Sequence, residues 1–583
     1  MAKTYTKKLM AETQAALAAG DTAYALLLLR DVVDAAPRDT KASRLFCQVS
    51  LAEGRPMEAI EHLTLHLAAN PKAVEPAQML SNILAQHTPV NFRTLDTDGL
   101  AAALAMDRVS LEPLARVSGL LLADAVDIDA TLDQLGDQSF LTAFARFGPF
   151  FSAYLQAAPV IHPDLERGLV ALRRHFLLAA ADTDTSSETL AVALVCQCWL
   201  NEFVWPVTPA EADALATLDW TAPGQRIVGA MYRPLDQWLD YQTTSEAIRP
   251  KGFRDIVDAE RREQHEMARA DQTLGSAVAA TDATGTSVAA QYEENPYPRW
   301  RATQASDPGD ARGLINRITD PPADEDAAGD WSTRPLRILI AGCGTGLQAI
   351  QSAHAYAPRA QVLACDISRA SLRYAAMQAR RHKVGNIRFA HADILDLPAF
   401  DPPFDAPVDI IESVGVLHHM ADPFQGWRHL LERLAPGGLM YIGLYSATAR
   451  AALTRLRETL AAEGINGHDP DAIRATRARI LADPADTFER QLAESADFYT
   501  LSNVRDLLFH AHERPVDLTE ISDFLTDADL DFLDMDVRPH IAEAFEATHG
   551  SGASNDIGAW AAFEAANPDT FDGMYLFWVQ KPA

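Results

Sequence analysis

LRILIAGCGTGLQ, Leu336 to Gln348, is the stretch from which the fold of this chain is read. Its first half is an apolar run, and its second half is punctuated by Gly342, Gly344 and Gly346. That pattern reads as a buried parallel strand turning sharply into a helix. The glycines remove the Cβ atoms that would hold a ligand off the backbone. A second apolar run, QVLACD, closes on Asp366, twenty residues after Gly346. An acid at the tip of the neighbouring strand can accept hydrogen bonds from two ribose hydroxyls, so the two features together point to a nucleoside-binding enzyme.

Spacing narrows the reading. A dinucleotide fingerprint places its third glycine three positions after the second, and that position here is Leu347. The chain instead has Gly-x-Gly-x-Gly, followed by NIRFAHAD (Asn386 to Asp393) as a third strand ending in an acid and VDIIESVG (Val408 to Gly415) as a fourth. A helical stretch, Pro423 to Leu434, runs into Ala435-Pro436-Gly437-Gly438 and a fifth strand, LMYIGLY.

This order resembles the core of the class I S-adenosylmethionine (SAM) methyltransferases, and the glycine spacing resembles their motif I. The segments GVLHHMADP and LAPGG are similar to those of the branches that methylate small molecules and proteins. The resemblance implies an α/β Rossmann-like domain with a seven-stranded sheet, its last strand antiparallel, and SAM as cofactor. It implies that Gly342, Cys343, Gly344 and Gly346 lie along the methionine part, Asp366 at the ribose and Asp393 at the adenine, with Ile367 and Ile394 also binding the cofactor and Ser413 on the floor of the site.

Composition sets outer limits. A chain of 583 residues can hold three or four domains. Its five cysteines are too few and too irregular for a disulfide framework, which fits a reducing cytoplasm. The N-terminus lacks a secretion-type apolar stretch, and no uninterrupted apolar run approaches the ~20 residues that span a bilayer. Eighty acidic against fifty basic residues give a net charge of −30, which disfavours a phosphate backbone as partner.

The first ninety residues carry a period of thirty-four: Gly20 recurs as Gly54, Ala25 as Ala59, Leu29 as Leu63, Val33 as Leu67, Phe46 as Leu80 and Val49 as Ile83. The period resembles the tetratricopeptide repeat, which implies stacked helix pairs offering a groove for a protein or peptide, or else a packing or oligomerisation element. From residue 91 to 272 the apolar spacing is helical, as in LTAFARFGPFFSAYL and LAVALVCQCWLNEFV. The expected domains are therefore 1–90 repeats, 91–272 an all-helical middle domain, 273–335 a linker, and 336–583 the catalytic domain with an insertion at 446–528. Within the linker, Gly275 to Ala290 and the acidic DPPADEDAAGDW read as flexible chain. Between them QYEENPYPRW, residues 291–300, is either a lid that brings Tyr292, Tyr297 and Arg299 to the ligand or a clasp pinning the linker to the core.

Sheets of this kind bind ligand at the carboxyl ends of their strands, which the 446–528 insertion would overhang. It gathers Tyr499, Arg505 and His510 as further substrate candidates, without a spacing that suits a metal. Methyl transfer from a sulfonium needs alignment, plus a base only where the acceptor arrives protonated. His418, of the pair His418 and His419, and Glu412 are the catalytic candidates. The reading is a SAM-dependent methyltransferase acting on a protein, peptide or small molecule. The alternatives are a repeat-based scaffold whose SAM site does not turn over and, third, a nicotinamide oxidoreductase.

Overall fold

In the computed structural model the run Leu336–Ala341 forms β1, and all but one of its side chains are buried. It is joined in one seven-stranded sheet by β2 (Ala360–Asp366), β3 (Ile387–His391), β4 (Val408–Val414), β5 (Leu434–Tyr445), β6 (Asp531–Met535) and β7 (Met574–Gln580). The spatial order is β3-β2-β1-β4-β5-β7-β6. Only β7 runs against its neighbours, pairing antiparallel with both β5 and β6. A parallel sheet covered on both faces wants apolar side chains on both sides of each strand. Accordingly Leu339, Ile411, Met440 and Phe577 belong to one core layer, while Ile338, Ile340, Ile410 and Leu439 belong to the other. Chain order reverses between β1 and β4, so a crevice opens at the carboxyl ends of those two strands.

The structure describes residues 2–126, 128, 148–178, 185–234, 237, 248–275, 278–303, 335–484, 486–550 and 552–583. The acidic run ahead of β1 and the first half of LTAFARFGPFFSAYL lie outside them. The chain divides into two compact units. One comprises Met1–Glu260, Arg301–Gln304 and Asp469–Val504; the other comprises Arg261–Trp300, Ala305–His468 and Arg505–Ala583 and holds the sheet.

In the first unit the helices Thr22–Ala35 and Thr40–Ala52 are followed, at an offset of 34 residues, by Pro56–Ala69 and Val74–Gln86. The residues that recur in sequence are the ones these helices bury, among them Ala25 and Ala59, Leu29 and Leu63, Phe46 and Leu80. Gly20 and Gly54 recur as left-handed turn residues at φ +78° and +67°. The 34-residue period is thus a period of helices. The helix Thr185–Leu200 follows, with Ala193, Leu194, Val195 and Cys198 fully buried. Beyond its end, the Glu202 carboxylate accepts the Ser502 N–H at 2.6 Å. The Asp469–Val504 part of the insertion is tied within this unit by Arg477, whose two terminal nitrogens reach the Glu166 carboxylate at 2.5 Å each. Among the described residues no helix is long and apolar enough to cross a membrane.

One expectation is corrected. The stretch read as flexible chain is half helix: Ala283–Glu294 is helical, started by Asp282, whose carboxylate accepts the Gly285 N–H at 2.6 Å. Small polar residues disfavour a helix interior weakly, and a good N-cap with tertiary packing overrides them. Val288 and Gln291 are the buried residues of that helix.

Candidate functional site

The glycine loop lies in the crevice at the carboxyl end of β1. Gly342, Gly344 and Gly346 all adopt positive φ, and Gly346 leads directly into the helix Leu347–Ala355. A Cβ on Gly342 would lie 2.4 Å from the Val416 methyls, and one on Gly346 would lie 2.6 Å from Ala375 Cβ. Only glycine satisfies both the dihedral and the space. The Asp366 carboxylate at the end of β2 braces this loop, accepting the Gly344 N–H at 2.7 Å on one oxygen and the Ser368 N–H at 2.7 Å on the other. Burial pushes its pKa up, while those two backbone donors pull it back. Each oxygen retains acceptor capacity.

A cavity of about 370 Å³ opens over this loop. On one side it is lined by Ile367, Ala392, Asp393, Ile394 and Leu395. This is an apolar slot with one carboxylate, suited to a flat base. Asp393 accepts the Leu395 N–H at 3.0 Å and the Thr281 N–H at 2.7 Å. On the other side stand Tyr292, His419, Met420, Tyr445, Asp506 and Met574. Of the lining residues the structure describes, Asp282, Asp366, Asp393 and Asp506 carry carboxylates and none is lysine or arginine.

QYEENPYPRW works at both of its ends. Trp300 pins it: the indole Nε1–H donates to the Thr345 carbonyl at 3.1 Å, and the Trp300 carbonyl accepts from Gln378 at 2.8 Å and from the Tyr374 hydroxyl. Tyr292 and Tyr297 meanwhile line the cavity. The segment is a clasp at its end and a wall at its beginning.

Most of the remaining residues singled out in the sequence lie elsewhere. Arg299 pairs with Glu263 at 3.2 Å and sits over the Tyr374 ring, away from the cavity lining. Arg505 is held by Asn295, by Glu294 at 2.6 Å and by His468 at 3.1 Å. Tyr499 belongs to the first unit, where its buried hydroxyl donates to the Ala493 carbonyl at 2.6 Å. Ser413 is buried behind the loop, donating to the Ala341 carbonyl at 3.2 Å. Glu412 points to the opposite face of the sheet, since neighbours on a strand alternate. There it accepts from Ser352 at 2.7 Å and Gln348 at 2.9 Å, and burial raises its pKa. Cys343 lines the cavity, and burial pushes its thiol pKa up. Among the described residues no cluster has the makings of a metal site.

The two histidines after β4 separate. His418 is fully buried, stacked on Tyr445 with centroids 3.6 Å apart, and its Nδ1 accepts the Tyr445 N–H at 3.1 Å. His419, one step further round the short turn Leu417–His419, lines the cavity. It stacks on His510 at 3.8 Å. His510 Nε2 lies 3.0 Å from the Tyr292 hydroxyl, which donates to Asp506 at 2.9 Å. Tyr445, Asp506 and Met574 are among the cavity residues absent from the sequence-derived site candidates. They come from the end of β5, the insertion and the start of β7, and no local motif marks them.

Residues 338–438 match a family described as methyltransferase domain. Among curated proteins, an uncharacterized protein of Synechococcus sp. is 34% identical over 187 residues, 31% of this chain and 43% of its own. O-methyltransferase cnsE of Penicillium expansum is 30% identical over 186 residues, 32% of this chain and 54% of its own. The chain thus spans about half the length of these relatives. Among solved structures, PKMT2 of Rickettsia typhi in complex with AdoHcy aligns with 16% identity and a TM-score of 0.31, covering 42% of this chain and 48% of that one.

Proposed function

We propose, from the premise that residues 338–438 form a methyltransferase domain, that this protein transfers a methyl group from SAM to a small acceptor held beneath Tyr292 and Tyr445. The observation that carries the reading is the brace between Asp366 and the Gly344 N–H, which sets a carboxylate beside a Cβ-free loop at the switch point of the sheet. The residues present suit SAM. Asp366 offers free lone pairs to a ribose diol, Ile367 and Ile394 flank a slot for adenine beside Asp393, and the loop of Gly342 to Gly346 leaves bare backbone for the methionine part. The cofactor supplies a methyl on a positively charged sulfur, already activated for in-line displacement. Four carboxylates without a lining lysine or arginine, among the described residues, favour that charge.

What the chain adds is alignment and exclusion of water. Fixing donor and acceptor at contact distance replaces most of the entropy of a bimolecular encounter, on the order of 7–11 kcal/mol where the geometry is good. Tyr292, Met420, Tyr445 and Met574 narrow the cavity with large side chains at the acceptor side. An oxygen acceptor is in keeping with the O-methyltransferase relative. The helices that recur every 34 residues would then hold a protein partner or a second copy of the chain.

The test is SAM binding by calorimetry, together with transfer of labelled methyl from SAM into acceptors of a cell extract, with Asp366→Ala as the blank. Measurable binding without any labelled product would replace the enzyme by a SAM-binding scaffold. Absence of binding would remove the reading altogether.

A further inference from the structure

The His512 peptide unit meets two imidazoles with opposite demands. Its N–H lies 3.1 Å from His510 Nδ1, so that nitrogen accepts and His510 carries its proton on Nε2, pointing to the Tyr292 hydroxyl. Its carbonyl lies 3.0 Å from His419 Nδ1, so that nitrogen must donate. A neutral imidazole has one proton, and His419 therefore keeps it on Nδ1 and presents Nε2 as a lone pair. His419 lines the cavity, and with Nδ1 committed to the protein Nε2 is the nitrogen left to meet a ligand.

We infer that the methyl acceptor is a neutral hydroxyl compound, a phenol or enol, and that His419 Nε2 receives its proton during transfer. The inference rests on the methyltransferase reading above and adds to it the acceptor class and the base. As the acceptor oxygen bonds to the methyl carbon, the carbon–sulfur bond breaks with its electron pair remaining on sulfur, and the hydroxyl proton passes to Nε2. A methyl ether, a neutral thioether and an imidazolium result.

The surroundings of His419 select this acceptor over others. An anion would face the carboxylates of Asp366, Asp393 and Asp506 with no lining cation, among the described residues, to offset them. A protonated amine has no lone pair until it loses a proton. Burial, with Arg457 and Arg450 working the same way, brings His419 down to about 4, although the His512 carbonyl and Glu513 oppose them. His418 and His510, which flank it, are held neutral as well. Such a base is too weak to take a proton from an alkylammonium before the methyl moves. A hydroxyl attacks with its proton still attached, and that proton becomes strongly acidic only as the new bond forms, so a weak base suffices.

Two variants separate chemistry from architecture. In His419→Asn the side-chain amide can still donate to the His512 carbonyl but offers nothing in place of Nε2, whereas in His419→Gln the amide reaches further and loses that anchor. The probes are neutral phenols and β-dicarbonyl enols beside amines of like size, with labelled SAM. Wild-type protein should methylate hydroxyl probes, and His419→Asn should keep its SAM affinity within about threefold while losing turnover about 100-fold or more. Nitrogen-15 spectra of histidine-labelled protein should show His419 protonated on Nδ1, with Nε2 shifting when a phenol is added alongside S-adenosylhomocysteine. A proton on Nε2, near-normal turnover in His419→Asn, or SAM binding with transfer to amines alone or to none of the probes would each overturn the inference. Failure of the wild type to bind SAM would instead remove the methyltransferase reading, leaving the tautomer of His419 to be read by itself.

Discussion

His419 Nδ1 lies 3.0 Å from the carbonyl oxygen of His512, a residue 93 positions later in the chain. One hydrogen bond thus joins the turn after β4 to the insertion and sets the neutral His419 ring with its proton on Nδ1. The Arg514 N–H donates to the His418 carbonyl at 2.7 Å and fastens the same turn a second time. A turn held at both of its histidines sets His419 against the cavity and stacks His418 on Tyr445.

Asp366→Ala removes the carboxylate proposed to hold the ribose and also the brace on the Gly344 N–H. Hydrogen bonds to a charged group contribute about 1.5–3 kcal/mol each. Two lost ribose bonds predict SAM binding weaker by roughly 10²–10⁴-fold. Calorimetric titration reads this directly, and affinity within threefold of wild type would show that Asp366 does not hold the ribose.

Gly342→Ala forces a Cβ to 2.4 Å from the Val416 methyls at a φ of +77°. Overpacking costs about 1–3 kcal/mol and the left-handed backbone roughly 1–2 more. The variant should melt earlier and lose SAM affinity. Adding Val416→Ala should recover the overpacking part but not the dihedral part, so a double variant as unstable as the single one would place the clash elsewhere.

Acid should unfold the sheet unit through its buried imidazoles. His419 titrates near 4 in the folded chain, with burial the main cause, and near 6.5 when unfolded. Between those values the unfolded state binds more protons, so stability rises with pH and is lost as pH falls from about 6.5 toward 4. Each such group adds a slope of about 1.4 kcal/mol per pH unit in that window. Denaturant melts from pH 4 to 7 should show a shallower slope for His419→Asn than for wild type; equal slopes would contradict the burial.

Tyr292→Phe deletes the hydroxyl that donates to Asp506 at 2.9 Å and accepts from His510. It leaves both buried groups short of a partner, at about 1–3 kcal/mol each. The thermal midpoint should drop and methyl transfer should fall more than SAM affinity. A fall in SAM affinity with unchanged turnover at saturation would move Tyr292 from the acceptor side to the donor side.

Arg477→Ala breaks the bidentate pair with Glu166, both side chains nearly fully buried. Removing one partner of such a pair costs about 3–5 kcal/mol, because the other charge stays buried alone. The loss should appear in the melting of the first unit. A double variant, Arg477→Met with Glu166→Leu, should be far milder, and equal damage from both would deny the pair its role.

The sheet was legible because its signals are local. Apolar runs ending in glycine or acid mark β1 to β4 within a residue or two, whereas LAPGG, read as a turn ahead of β5, is the first part of that strand. The helical period was legible for the same reason, since each repeat buries residues set by its own spacing. The acceptor side was not. Composition made the stretch before QYEENPYPRW look flexible, whereas Asp282 caps it into a helix whose Tyr292 forms part of the cavity wall.

By itself the sequence determined the succession of strands along the chain, the glycine-rich turn after β1 and the acid at the end of β2, because backbone sterics and apolar periodicity act between neighbours in the chain. Only the tertiary structure decided that His419 rather than His418 meets the cavity, that Glu412 belongs to the opposite face, and that Arg299, Arg505 and Tyr499 are engaged elsewhere. Those outcomes depend on hydrogen bonds between residues far apart in the chain, such as the one from His419 to the His512 carbonyl, and no local pattern records which distant backbone group will take a proton.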